Sequence, residues 1–284
     1  MRVLILGGDG MLGHRLFRHL QPRHDVRVTL RRELEAYSGC GLFSPANAWG
    51  GVDARSTERL LEVMAEFRPE AMVNCVGIVK QRAEAQASLP SIEINALLPH
   101  RLARLARAAG ARLVHLSTDC VFSGKRGNYR ESDTPDAEDL YGRSKLLGEV
   151  AEEGCITVRT SIIGRELSRR TGLLEWLLAQ RGGTVKGYRQ AIFSGFTTAE
   201  MSRIIERLLT AFPAASGLYQ VSSEPISKHD LLAKINRALK LGIEIVPEDS
   251  FRCDRSLDSG RFRAEFGYRP PSWDEMVAEL AHEA

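Results

Sequence analysis

Apolar and polar positions follow two rhythms in the first half of the chain. Short apolar runs, "RVLILGG", "DVRVTL", "AMVNCVGIV", "ARLVHLSTDCVF" and "CITVRTSII", read as strands buried on both faces of a sheet. Between them, apolar residues recur at helical spacing. "MLGHRLFRHL" carries them at 11, 12, 16, 17 and 20, and "TERLLEVMAEF" stops before Pro69. "EINALLPHRLARLARAAG" predicts a helix with Gly110 as its C-terminal cap, and a further helix is expected over residues 141–152. Strands alternating with helices predict an α/β fold, a doubly wound parallel sheet covered on both faces.

Beyond about residue 165 the alternation loosens. "LLEWLLAQ" and "AEMSRIIERLL" read as helices, "GLYQVSS" as a short strand, and "SKHDLLAKINRAL" as a helix capped by Ser227. The expected organisation is a dinucleotide-binding domain over residues 1–165 and a smaller α/β substrate-binding lobe over residues 166–284, woven onto the first. No internal repeat or low-complexity linker separates them.

Composition narrows the function. The 284 residues, 43% of them hydrophobic, suffice for a sizeable core, and a net charge of +3 with mixed signs gives no basis for nucleic-acid binding. The five cysteines are widely spaced and form no CxxC, which fits reduced cytoplasmic thiols. His14, His19 and His24 lie five apart and do not share a helix face, so no metal site is expected. Neither a signal peptide nor an apolar run long enough for a bilayer is visible, so no membrane partner is expected and the expected location is the cytoplasm.

Two constellations carry chemistry. "GGDGMLG" sets Gly7, Gly10 and Gly13 between a strand and a helix. There glycines permit a tight turn and close approach to a pyrophosphate, which the helix N-terminus then faces. The second strand ends "VTLRRE". Arg31 and Arg32 stand where an acidic residue would select NAD(H), and guanidinium groups suit a 2′-phosphate, so NADP(H) is favoured, with Glu33 close by as the counter-argument. Asp53, with Ala54 beside it, lies on a loop where an adenine ring could sit.

The second constellation is "STDCVF" followed by "LYGRSKLLGE". Ser117, Thr118 and Asp119 end a strand, the side on which doubly wound sheets bind ligands. Tyr141 and Lys145 are either two ordinary helix residues or, on one helix face, a phenol whose acidity an ammonium raises. In the second case Tyr141 can protonate a carbonyl oxygen.

In this order the motifs resemble an extended short-chain dehydrogenase/reductase, and more closely the dTDP-4-dehydrorhamnose reductase family. The resemblance rests on "GGDGMLG", "RPEAMVNCVG", "INALLPHRLARLA", "LSTDCVFSGKRGNYRESDTP", "YGRSKLLGE" and "VRTSIIG", and more loosely on "FSGFTTAEMSRII". It implies a Rossmann domain with Thr118, Tyr141 and Lys145 as the catalytic triad. It also implies Gly10, Met11 and Leu12 at the pyrophosphate, Val76 and Gly77 beside the cofactor, Lys145 on the nicotinamide ribose, and Asp119 at the sugar. Asn95 matches a helix asparagine near the family's active site, or serves helix packing. A homodimer through helices near 95–109 and 141–152 is suggested. In the smaller lobe, Lys186 and Arg189 are expected at the substrate diphosphate, with Phe193 or Phe196 stacked on its base.

Two positions depart from the family. Cys120 replaces a frequent Tyr, and Ile162 a frequent Trp, both expected to face the sugar. The absence of an acid at 120 favours reduction over dehydration. The expected activity is NADPH-dependent reduction of a nucleotide-linked 4-keto-6-deoxy sugar for polysaccharide precursors, the acceptor being the usual dTDP sugar or a UDP-linked variant. An epimerase on the same scaffold and a non-catalytic NADP(H)-binding regulatory subunit are the alternatives.

Overall fold

A computed structural model describes residues 1–79, 87–168 and 170–283. The chain forms two compact, interleaved units. The first comprises Met1–Ser117, Asp139–Val158 and Ser202–Leu218; the second comprises Thr118–Glu138, Arg159–Met201 and Tyr219–Ala284. The chain therefore passes between units several times, not once near residue 165.

The main sheet has seven strands. Six are β1 (Arg2–Leu6), β2 (Asp25–Thr29), β3 (Ala48–Trp49), β4 (Ala71–Asn74), β5 (Arg112–Thr118) and β6 (Cys155–Thr160). The seventh is Gly217–Gln220, and the order runs from it through β6, β5, β4, β1 and β2 to β3. The pairs β3–β2, β2–β1, β1–β4 and β4–β5 are parallel. Every residue of β4 is buried, as are the last four of β1, which is why these runs lack polar alternation. "GLYQVSS", expected in the smaller lobe, instead supplies an edge strand of this sheet.

Helices α1 (Met11–Leu20), α2 (Thr57–Phe67), α3 (Ser88–Ser91), α4 (Leu98–Ala108) and α5 (Leu140–Leu147) belong to the first unit. Leu60, Val63, Met64 and Phe67 from α2 share a core with Leu4 and Met72 from the sheet and Leu98 and Leu102 from α4. Ser56 Oγ accepts from the Arg59 N–H to cap α2. Arg112 is buried at the start of β5 and donates to the carbonyls of Leu208 (2.7 Å), Phe212 (2.9 Å) and Ala215 (3.2 Å), which satisfies the end of the helix Thr198–Thr210.

The helix expected to begin near residue 93 differs in one respect: Ile92–Leu97 is π-helical before α4 begins. Pro99 has no N–H to give the Asn95 carbonyl, so a regular turn could not satisfy that group. Gly148 approaches the freed carbonyl so closely that a methyl group there would lie 1.9 Å from the Asn95 oxygen. Helix α5 correspondingly stops at Leu147, not near residue 152.

In the second unit, Ile162–Ile163 pairs with Phe196–Thr197, Ala191–Phe193 with Ile226–Ser227 and Cys253–Asp254, and Thr184–Tyr188 with Glu244–Glu248. Ser227 caps Lys228–Leu239 through the Asp230 N–H, as its position before the apolar period predicts.

Candidate active site

In the first unit the turn after β1 is fixed by geometry that requires glycine. Gly7 has φ 79°, and a methyl group at Gly13 would lie 2.1 Å from the Gly7 carbonyl oxygen. The Thr29 side chain accepts from the Gly7 N–H at 3.3 Å and holds the loop on β2. Helix α1 begins at Met11 with no acidic residue in its first turn, leaving its N-terminus suited to an anion. The Leu12 side chain is buried, so at that position the backbone N–H is the group available to a pyrophosphate.

The neighbouring strand ends complete this side. Val76 lies against Gly7, its methyl 3.1 Å from where a Gly7 side chain would begin, and its N–H donates to Asn74 Oδ1 at 3.1 Å. The next loop residue, Gly77, is half-buried. Arg31 and Arg32 are exposed after β2. The Arg32 guanidinium lies 5.4 Å from the Tyr37 ring centroid, and the Tyr37 hydroxyl donates to Asp9 Oδ2 at 3.0 Å. Glu33 turns its carboxylate toward Gly51. The Asp53 carboxylate is bound by Arg55, with Nε 3.0 Å from each oxygen, and this hydrogen bonding holds its pKa below the usual range. Ala54 beside it is buried. Tyr37 and Asp9 were not foreseen; the single Asp within the glycine loop was the available signal.

Tyr141 and Lys145 project from α5, whose N-terminus is capped by Asp139 accepting from the Gly142 N–H at 2.7 Å. Tyr141 is half-buried and Lys145 is buried. Lys145 Nζ donates to the Leu116 carbonyl at 2.6 Å. Burial lowers its pKa to about 8, with Glu149 and then Cys75 acting in the opposite direction. Cys75 also borders Gly7 and Gly10. Within this unit, therefore, the glycine loop, the end of β4 and Lys145 come together. Asn95 is buried and accepts from the Ile78 N–H at 2.9 Å while donating to the Ile78 carbonyl at 3.0 Å and Ser144 Oγ at 3.3 Å. It ties the loop after β4 to α5, a positioning role.

In the second unit, Thr118 and Asp119 are buried at the end of β5. Thr118 Oγ1 donates to Asp119 Oδ1 at 3.1 Å and accepts from the Cys120 N–H at 3.1 Å. Burial pushes the Asp119 pKa up, partly countered by Cys120, Arg255, Thr118 and Ser161. The half-buried Cys120 thiol is pushed up to about 12 by burial and by Asp119, which leaves it a poor nucleophile. Ile162 is half-buried and pairs with Phe196.

Of the nucleotide contacts expected in this unit, the ring stacking needs correction. Phe196 has 0% of its surface exposed and packs edge-on to Tyr268, while Phe193 is buried against Trp273. A base cannot stack on a ring that the core already covers. Lys186 Nζ pairs with Glu248 at 3.0 Å and Arg189 Nε with Asp249 at 2.9 Å, so both cations already meet carboxylates. A cleft of about 570 Å³, lined by Arg130, Glu131, Ser132, Asp258, Gly260 and Arg261, contains none of the residues singled out by sequence. Within it Arg130 lies 3.1 Å from Asp258.

Among the described residues, no group of three or more His, Cys, Asp or Glu is arranged to hold a metal, and no helix is long and apolar enough to cross a membrane. His19 and His24 both meet Glu206, at 2.8 and 3.2 Å.

The family described as the RmlD substrate binding domain matches residues 1–284. The chain belongs to this family. It is 25% identical to the dTDP-4-dehydrorhamnose reductase of Salmonella typhimurium, an alignment covering 100% of this chain and 98% of that protein. It is 29% identical to methionine adenosyltransferase 2 subunit beta of Bos taurus over 59% of this chain. That match spans about half of the relative's length, 48%. In fold it is similar to the crystal structure of a dTDP-4-dehydrorhamnose reductase from Bacillus anthracis in complex with NADP. The TM-score is 0.80, with 23% identity and 99% coverage of each chain. The Rossmann architecture is thus shared with solved structures, one of which was crystallised with NADP.

Proposed function

We propose that the chain is an NADPH-dependent reductase of a nucleotide-linked 4-keto-6-deoxy sugar, acting in the cytoplasm in polysaccharide precursor synthesis. The observation that carries this reading is the buried ammonium of Lys145, one helical turn from Tyr141 and in the same unit as the glycine loop.

The glycine cradle fits a dinucleotide, because any side chain at Gly13 would fill the turn. Gly7, Gly10, Met11, Leu12 and Gly13 would hold its pyrophosphate, Val76 and Gly77 its nicotinamide half, Asp53 and Ala54 its adenine, and Arg31 and Arg32 a 2′-phosphate. When bound, the reduced cofactor supplies a hydride to the C4 carbonyl carbon of the sugar. Tyr141 donates its phenolic proton to the carbonyl oxygen, giving the alcohol. Lys145 stabilises the resulting phenolate and holds the ribose. The Thr118 hydroxyl orients the carbonyl oxygen, and Asp119, Cys120 and Ile162 bound the sugar. The small Cys120 and aliphatic Ile162 support an acceptor shaped differently from one that meets Tyr and Trp there. A homodimer belongs to the same proposal.

The test offers dTDP-, UDP- and GDP-linked 4-keto sugars with NADPH or NADH and follows absorbance of the reduced cofactor. At least one pair should be consumed, faster with NADPH. NADPH binding without consumption of any sugar would overturn the reductase reading. It would favour a non-catalytic NADP(H)-binding subunit.

A further inference from the structure

Two consecutive residues of β5 grip the end of α5 and the turn that follows it. The Leu116 carbonyl accepts from Lys145 Nζ at 2.6 Å, and the Ser117 hydroxyl donates to Glu149 Oε1 at 2.7 Å. The turn between them is closed by the N–H groups of Gly148 and Glu149 bonding to the carbonyls of Lys145 and Leu146, each at 3.1 Å. Gly148 itself is fixed by its close approach to the Asn95 carbonyl. Ammonium and carboxylate are therefore both fastened to one strand, four residues apart in sequence.

We propose that Glu149, held by Ser117, is a positioning residue that keeps Lys145 cationic. This rests on reading Lys145 as the cation that supports Tyr141 and the cofactor ribose. The titratable groups around Lys145 come from two elements besides its own helix and the turn that ends it. Cys75, after β4, has its thiol pushed up to about 12 by burial and is uncharged near neutral pH. His115, on β5, is driven well below its ordinary value by burial and by the Lys145 charge, so it too is neutral. Tyr141, on the same helix, is the proton donor. Glu149 is the first of the influences that oppose the loss of the lysine's proton. Without it, burial would act on an ammonium whose hydrogen-bond acceptor is a neutral carbonyl.

The experiment reads the lysine directly. The chain has seven lysines, so the full-length protein labelled with [13Cε]lysine gives a tractable spectrum, and Lys145→Arg identifies the resonance. In Glu149→Gln the titration midpoint of Lys145 should fall by about one pH unit or more, and Glu149→Asp should restore most of it. The alkaline limb of kcat/KM against pH should move down in parallel, which a merely structural defect would not produce. An unchanged midpoint in Glu149→Gln overturns the proposal. If that variant does not fold, Ser117→Ala decides the matter: a lowered midpoint supports the proposal, and an unchanged one overturns it. The titration needs no substrate, so failure of the 4-keto reductase reading would appear separately, as absence of turnover in the unaltered protein.

Discussion

Lys145 in the first unit is buried against a backbone carbonyl, with its pKa lowered to about 8, whereas Lys186 in the second unit is exposed and paired with Glu248 at 3.0 Å. The two lysines looked alike in sequence as candidates for a phosphate or ribose contact. Their surroundings separate them. An exposed pair gains little from its partner, because water screens the attraction. A buried ammonium carries a desolvation cost that folding must offset elsewhere, and such costs persist mainly where the charge has a use.

The largest effect expected from this comparison is chemical. Tyr141→Phe should lower kcat by about a thousandfold, the scale of a lost general acid, while NADPH binding by fluorescence titration stays within about twofold. Persistent turnover would remove Tyr141 from the mechanism and leave Lys145 without its proposed purpose.

Replacing the buried lysine should reduce activity and raise stability together. The lowering of its pKa from 10.5 to about 8 corresponds to about 3 kcal/mol of cost at pH 7. A depressed lysine pKa means that the unfolded chain binds the extra proton between the two values. Stability therefore rises with pH through that window: the cost shrinks from about pH 8, as the native lysine discharges, and is gone only above about 10.5, where the unfolded chain discharges too. Lys145→Met should thus be more stable than the unaltered protein by about 3 kcal/mol in urea at pH 7, with the difference falling below about 1 kcal/mol at pH 10. Equal stability at both pH values would mean that the ammonium is not desolvated.

What could be read from sequence follows the same division. The strand–helix alternation, the glycine turn, and the Ser227 and Gly110 caps are local signals, and each has a local cause in buried apolar runs, φ values or side-chain oxygens. The membership of Gly217–Gln220 in the main sheet was not legible, because nothing in a short strand names its partner. The π-helical turn was also missed, although Pro99 removes a donor four residues after Asn95. Glu149 lay in plain view within "YGRSKLLGE", but its bond to Ser117 spans 32 residues and depends on how β5 passes α5. Phe193 and Phe196 were overread because sequence cannot distinguish an exposed ring from a covered one.

A smaller effect tests the link between α5 and the π-helical turn. Gly148→Ala would push a methyl group into the Asn95 carbonyl, with an expected loss of about 1–3 kcal/mol in urea unfolding. Asn95 holds the Ile78 backbone, so the KM for NADPH should rise more than kcat falls. A variant with unchanged stability would show that the two segments separate freely, and the positioning role of Asn95 would then lose its support.

The smallest effect is expected at Lys186. In Lys186→Ala the ion pair with Glu248 is lost on an exposed surface, so the unfolding midpoint should scarcely move and the KM for the nucleotide sugar should change by no more than about twofold. The comparison is sharpest if that expectation fails. A tenfold rise in KM with unchanged stability would mean that Lys186 leaves Glu248 for the substrate diphosphate on binding. Glu248→Gln would then lower KM by releasing the same lysine. Opposite changes from the two substitutions would identify an exposed pair as a latch that substrate opens, and the second unit would then carry a functional charge on its exposed surface.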